Sequence, residues 1–403
     1  MSDDSIQIFD DAELEALRAV VESQSAGRGM GEDSPVTQFE DAFGERLGRK
    51  YVLALSSGTA ANEAALVGIG IRPGDEVICP PCTFIASSMA ALTLGAVPVF
   101  ADVDPRTLII TAESIEAAVT AKAKAVVVVH LNGQPAEMSA ILEVARKHNL
   151  AVVEDCAQAF DCTYRDRPVG TFGTAASFSL QQGKQITSGE GGIIVTDDPE
   201  VYERASLYCN CGMAWYRYGR EAPRAEPVGE LMTRGHFAMG HNYRMTAWQG
   251  AVALAQLGKM ERFNARRAEL VDLLENTLAD LSNLQLAHRY ADTIPIYWNY
   301  PLRTVGITTR ELEAACEESK VTIRRDIEIN YLEVVYRQME DERCTPVGVP
   351  LPDYVHYGLG LCPEAEAAAQ YTTPVFVHHG MTDPDKLHQW ATGLRDVLTR
   401  LNG

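Results

Sequence analysis

The side chain best placed to act as a nucleophile is Lys184, in Ser177-Phe178-Ser179-Leu180-Gln181-Gln182-Gly183-Lys184-Gln185-Ile186-Thr187-Ser188-Gly189-Glu190-Gly191-Gly192. It stands among small polar residues and glycines between two apolar runs. Partial loss of water there lowers an amine's pKa and frees its lone pair toward aldehydes. A solvated surface-loop lysine is the alternative. Asp155, in AVVEDCAQA, follows a run that reads as a buried strand, so it either faces a ligand at the carboxyl edge of a sheet or caps the next helix. Ser56-Ser57-Gly58-Thr59 follows another strand and opens a helix. That is an anion cradle or a plain N-cap. An amine prone to neutrality, a buried acid and an anion cradle are together the parts that pyridoxal 5'-phosphate requires: an aldehyde partner, a carboxylate for the ring nitrogen and donors for the phosphate.

The elements that must position these residues are legible from Tyr51 onward, where short β-branched runs alternate with helical patterns of ten to fifteen residues. The strands are expected at 51–55, 76–79, 97–101, 125–129, 151–154, 176–180 and 192–196. Several are apolar throughout, which predicts an α/β fold whose mostly parallel, seven-stranded sheet is covered by helices on both faces. TAANEAALVGIG, TFIASSMAALTLG and AEMSAILEVARKHN read as crossover helices closed by Gly or Asn. Two amphipathic helices, Asp11 to Ser23 and Val36 to Leu47, precede the sheet, to cap it or to meet a partner subunit. The stretch from Cys209 to His241 reads as a long functional loop. A helical pattern from Thr246 to about Ser282 is expected to bridge two lobes. Strands near Ile294 to Tyr300 and Val321 to Ile323 and a helix from Asp383 to Leu401 then form a smaller C-terminal α+β domain. The domain division is expected at 1–250, an N-terminal arm and large domain, and 251–403, a bridging helix and small domain.

SSGTAANEAAL, PPCTFIASSMAAL, PVFADVDP, VVEDCAQAF, RPVGTFGTAASFSLQQGKQITSGEGGIIVT and GHNYRMTAWQGAVALAQL, in this order, resemble the DegT/DnrJ/EryC1/StrS family of aminotransferases. Within it, the likeness is greatest to the glutamine:scyllo-inosose and deoxy-scyllo-inosose enzymes. The resemblance implies the aspartate aminotransferase (type I) fold of pyridoxal-phosphate-dependent transferases. It also implies a role for each matched residue. Lys184 matches the Schiff-base lysine, Asp155 the acid paired with the pyridine nitrogen, and Gln158 the side chain bonded to the ring hydroxyl. Ser57, Gly58, Thr59 and Ser179 match the phosphate donors, and Phe84 the aromatic stacked on the ring. Asn242 matches a residue that reaches the other subunit's phosphate, so the resemblance implies a homodimer with a shared active site. The implied reaction moves an amino group from L-glutamine or L-glutamate to a keto-cyclitol or keto-sugar acceptor in antibiotic or other secondary metabolism. Gly183 before the lysine is also similar to 3-amino-5-hydroxybenzoate synthases, and a nucleotide-ketosugar acceptor stays open. Related sugar dehydratases carry His where Lys184 stands. A reading from another class is a sensor or scaffold that binds the cofactor without catalysis.

The charge balance bears on partners. With 35 basic against 55 acidic side chains and a net charge of -20, no grip on nucleic acid or on anionic lipid is expected. The acidic start and the absence of a spanning apolar run predict a cytoplasmic protein off the membrane. Nine scattered cysteines fit a reducing compartment. Cys79-Pro80-Pro81-Cys82 is either a redox pair or a Pro-rich turn. No metal is expected: His378 and His379 are adjacent, should point apart, and have no further ligand at suitable spacing. His241 could meet substrate or pack, the Trp215-Tyr216-Arg217-Tyr218 cluster could stack on a ring or anchor an interface, and Tyr336-Arg337-Gln338 falls near where many relatives place a substrate-contacting His.

Overall fold

A computed structural model describes residues 6–29, 31–215, 217–218, 222–325 and 327–402. The seven central strands are β1 (Tyr51–Leu55), β2 (Glu76–Cys79), β3 (Val97–Phe100), β4 (Ala123–Val129), β5 (Ala151–Asp155), β6 (Ala175–Ser179) and β7 (Gly192–Thr196). Their order across the sheet is β1-β7-β6-β5-β4-β2-β3. β6 pairs parallel with β5, β5 with β4, β4 with β2 and β2 with β3, whereas β7 runs antiparallel to both β1 and β6. β1, β2, β6 and β7 are buried along their whole length, because helices lie on both faces.

The helices follow the expected pattern. α1 is Asp11–Ser23, α2 Pro35–Leu47, α3 Gly58–Gly68, α4 Ala86–Thr93, α5 Ala112–Ala118 and α6 Met138–His148. Gly70, Gly95 and Asn149, which close the three crossover helices, all take positive φ, the left-handed turn that ends a helix. α7 (Pro199–Cys209), which sequence reading missed, packs on α3. Its Pro at the first turn and the Asp198 side chain accepting from Glu200 and Val201 N–H are ordinary N-terminal signals. The expected bridging helix is two helices, α8 (Ala247–Leu257) and α9 (Met260–Leu278), separated at Gly258-Lys259. α1 lies on α8, with Val20, Ala247 and Ala251 buried together, and Glu13 receives the Gln256 amide and the Lys259 ammonium.

Beyond α9, a three-stranded sheet of Leu284–Gln285, Asn299–Thr304 and Thr372–Phe376 shares one apolar cluster with α9, α10 (Thr309–Glu318) and α11 (Pro384–Leu401). Residues 321–323 form no strand; Val321 and Ile323 are buried in that cluster all the same. Tyr331, Tyr336, Met339, Leu351, Tyr357 and Ala365 instead join the core of the large sheet. Among the described residues no helix is long and apolar enough to cross a membrane.

Candidate active site

The register of the sheet brings the chemistry together. Because β7 is antiparallel to its neighbours, its first residue, Gly192, pairs with Leu55 at the end of β1 and with Ser179 at the end of β6. The 180–191 connection therefore turns back at the carboxyl edge, and Lys184 lies on it. Ser177 pairs with Asp155, the last residue of β5, so the acid comes to the same edge.

Asp155 is buried, and three donors hold its carboxylate. Asn62 Nδ2 lies 2.9 Å and Ser87 Oγ 2.7 Å from Oδ2, while Ala157 N–H donates to Oδ1 at 3.0 Å. Asn62 is fixed in turn by the Ser177 hydroxyl on its own carbonyl. Sequence reading missed Asn62 and Ser87. Each is a polar side chain on the buried side of an otherwise small, apolar helix, and that mismatch was the available signal.

Lys184 is half-buried, and its Nζ sits 4.1 Å from the centre of the Trp298 ring. Burial lowers its pKa from the ordinary 10.5 to about 8; the Asp155 charge opposes that shift and Arg267 adds to it. Trp298, also missed, donates its indole N–H to the Gly183 carbonyl at 2.6 Å. Arg267 of α9 donates to the Lys184 carbonyl at 3.2 Å.

At the start of α3, the Ser57 hydroxyl caps the helix by accepting from Ala60 N–H at 3.1 Å. Gly58 must be glycine: a Cβ there would lie 2.7 Å from the Ser179 Cβ. Likewise a Cβ on Gly192 would meet the Ser57 carbonyl oxygen at 2.0 Å. The close approach puts Ser57, Gly58, Thr59 and the Ser179 hydroxyl beside the positive end of α3, a donor set suited to a phosphate dianion.

Gln158 is buried, and its carbonyl oxygen accepts from Asn132 N–H at 2.6 Å. Its NH2 group is what it can offer to the adjoining cavity. That cavity, about 230 Å³, is lined by Phe84, Gln158, Trp298 and Asn299, with Arg324 and Glu328 at its wall. Phe84 is 64% exposed, a bare aromatic ring at the cavity. Asn242 is exposed. The peptide of its neighbour Tyr243 accepts from Ser56 N–H at 2.8 Å, next to the α3 cradle.

Other candidates resolve into packing. His378 and His379 do not point apart. Their rings stack at 4.2 Å, and His379 lies 3.8 Å from Phe263. Burial holds both far below the usual imidazole range. Tyr336 is fully buried and its hydroxyl bonds Ser88 at 2.6 Å, so it serves the core. Tyr218 packs edge-on against Tyr51 and Tyr202, and Arg217 bonds Glu40 and Thr37. Tyr216 lies outside the described residues. His241 is exposed and stacks on Tyr243 at 4.9 Å. Cys79 and Cys82 are buried free thiols whose pKa values burial raises, the opposite of an activated redox pair.

One further cluster could suggest a metal. His130, Glu154 and Cys156 bring ligand atoms within 4.8 Å of one another. Glu154 already accepts from Gly170, Phe172 and Gly173 N–H and from His130 Nε2. His130 Nδ1 accepts from Ala136 N–H. The cluster is closed upon itself.

A family model for the DegT/DnrJ/EryC1/StrS aminotransferase family matches residues 7–344. The chain belongs to that family. It is accordingly a pyridoxal-phosphate-dependent aminotransferase with the fold of those enzymes. The GDP-perosamine synthase of Caulobacter vibrioides is 39% identical over 298 residues, 71% of this chain and 75% of that one. The L-glutamine:scyllo-inosose aminotransferase of Streptomyces griseus is 37% identical over 298 residues, 72% of this chain and 68% of that one. Among solved structures, an aminotransferase from Psychrobacter cryohalolentis superposes with a TM-score of 0.84 at 28% identity, over 98% of each chain. A 3-amino-5-hydroxybenzoic acid synthase does so with 0.81 at 28% identity, over 97% of each. This aminotransferase thus has relatives whose names cover sugar and cyclitol amination.

Proposed function

We propose that this enzyme transfers the amino group of L-glutamine or L-glutamate to a ketone on a cyclitol or sugar ring, as a homodimer with a shared active site and in secondary metabolism. The observation that carries the proposal is Lys184: its amine is shifted toward neutrality over Trp298, on the same sheet edge as the triply held Asp155 and the α3 cradle.

Bound pyridoxal phosphate supplies an aldehyde that condenses with amines and a protonated ring that takes up negative charge. Ser57, Gly58, Thr59 and Ser179 hold its phosphate, and the fit is supported by Gly58, where any side chain would fill the space against Ser179. Asp155, oriented by Asn62, Ser87 and Ala157, would pair with the ring nitrogen and favour its protonated form. Gln158 would give its NH2 to the ring hydroxyl, Phe84 would cover the ring face, and Asn242 would reach the phosphate bound by a second copy of the chain. Lys184 Nζ would take the proton from the donor's α-carbon and, in the reverse half-reaction, return a proton to the acceptor carbon that receives nitrogen; an amine near pKa 8 is suited to both halves.

The division of labour predicts ping-pong kinetics. Glutamine alone should change the visible spectrum of the loaded enzyme, and Lys184→Ala should lose both the band and turnover. An Ala variant that keeps both refutes the assignment. The acceptor is tested by offering keto-cyclitols, nucleotide ketosugars and aminodehydroshikimate-like rings after one glutamine half-turnover. Likeness to the scyllo-inosose enzymes favours the first and likeness to GDP-perosamine synthases the second. A cofactor-binding sensor would return no amine to any of them.

A further inference from the structure

Arg267 is the largest fully buried side chain, 1% exposed, and among the described residues it has no ion-pair partner. A guanidinium in such a place must be satisfied otherwise. Carbonyls satisfy its two terminal nitrogens, Nη1 donating to Tyr297 at 3.2 Å and to Val377 at 2.9 Å and Nη2 to Lys184 at 3.2 Å, while its buried Nε–H has no partner. Each carbonyl belongs to a wall of the lysine's compartment. Lys184 is the lysine itself. Tyr297 precedes Trp298, whose ring lies under Nζ and whose indole N–H holds Gly183. Val377 follows Phe376, which packs edge-on against Trp298 at 6.4 Å.

We propose that Arg267 is the positioning residue of Lys184: it fixes the lysine's backbone and Trp298 relative to each other, and its uncompensated charge behind the site disfavours a second cation on the amine. This inference rests on Lys184 being the cofactor-linked lysine.

Arg324 and Glu328 stand at the wall of the adjoining cavity, and among the described residues Arg267 is the cation whose charge lowers the Lys184 pKa. Asp155 on β5 is the counter-charge and acts in the other sense. His378 and His379, stacked beside Arg267, are held neutral by burial and by Arg267 itself. Cys162, also near the guanidinium, is a buried thiol with its pKa raised to about 12, and so is uncharged. Burial lowers the Arg267 pKa from 12.5 to about 9, which still leaves the guanidinium charged at neutral pH.

The test uses cofactor-free protein as well as the holoenzyme. Lys184 is reductively 13C-methylated, its resonance identified by its loss in Lys184→Ala, and its pH midpoint compared with that of Arg267→Gln, or of Arg267→Met should the first not fold. The expected result is an upward move of the midpoint, smaller than the shift that burial itself imposes. Arg267→Lys keeps the charge and loses the fork: its midpoint should stay near wild type while kcat falls about tenfold or more with KM nearly unchanged, as misplacement of a reacting group does. An unmoved midpoint in the uncharged variants overturns the electrostatic half of the proposal. A Lys variant with wild-type kcat overturns the positioning half, and decides that half alone if neither uncharged variant folds. These outcomes are separable from failure of the functional reading, in which Lys184→Ala would still bind a coloured cofactor.

Discussion

Removing the reactive amine should stabilise the cofactor-free enzyme. Lys184 titrates near 10.5 in an unfolded chain and near 8 in the folded one. Between those values the unfolded state binds more protons, so folding opposes the charge below pH 8 and stops opposing it above 10.5. The ratio of the two binding polynomials at pH 7 corresponds to about 3 kcal/mol of destabilisation, falling to about 1 kcal/mol at pH 10. Lys184→Met keeps the length of the side chain and its contact with Trp298 while deleting the ionisable group. Its cofactor-free form should therefore melt higher than wild type at pH 7. The gain should be about 4 °C if the whole chain unfolds together, reduced by the loss of a cation–π contact worth about 1 kcal/mol. Differential scanning calorimetry of both proteins at pH 7 and pH 10 reads the effect. A Met variant no more stable than wild type at pH 7, or one whose advantage is as large at pH 10, would refute the reasoning that burial strains this amine.

Three further outcomes follow from the geometry. Gly58→Ala puts a methyl group 2.7 Å from the Ser179 Cβ, so the cradle must open; pyridoxal phosphate affinity in equilibrium dialysis should fall at least about tenfold, with the melting temperature of the cofactor-free protein lowered by a few degrees at most. Ser87→Ala removes one of the two donors on Asp155 Oδ2, and kcat should drop about tenfold while the protein stays folded by circular dichroism; an unchanged kcat would mean Asn62 and Ala157 suffice. Tyr336→Phe removes the hydrogen bond that the Ser88 hydroxyl accepts, leaving those to Ile85 and Asn330, and should cost about 1 kcal/mol in urea unfolding with kcat unaltered, whereas a selective loss of kcat would return Tyr336 to the substrate site.

The sheet was readable because burial on both faces demands uninterrupted apolar runs, and no other element of this chain has that signature. All seven runs became strands of one sheet within a residue or two of their expected ends. The C-terminal part read less well because its pieces answer to distant partners. Thr372–Phe376 pairs with Asn299–Thr304 across some seventy residues, and Val321 and Ile323 fill a core without joining a ladder. In the candidate site, the residues carried by a local chain feature were legible, and the fold brings them to one sheet edge: a lysine between strands, an acid at a strand end, small residues at a helix start. Trp298 and Arg267 were not, since each reaches Lys184 from more than eighty residues away. Nothing in their immediate neighbours marks them.

The two acids that end β5 show why position in the fold, and not residue type, decides chemistry. Glu154 and Asp155 are adjacent in sequence and both buried, but successive strand residues face opposite sides of a sheet. On Glu154's side the 170–173 turn closes over it: three backbone N–H groups and His130 occupy its oxygens, and their hydrogen bonds hold its pKa below the usual carboxylate range despite burial. It has nothing left to give a ligand. On the other side Asp155 meets α3 and α4, and two side chains and one N–H hold it from behind, at the edge where the sheet's carboxyl ends open. A sequence that places EDC at the end of a strand therefore commits the first acid to the scaffold and leaves the second open to a ligand. Exchanging them, as in the double variant E154D/D155E, should be far more damaging than the conserved composition suggests: the shorter acid at 154 cannot reach three N–H groups at once, and the longer one at 155 would overrun the place proposed for the ring nitrogen. Loss of both stability and cofactor binding is the expected result. A double variant that still binds pyridoxal phosphate as wild type does would show that the two faces of β5 are interchangeable.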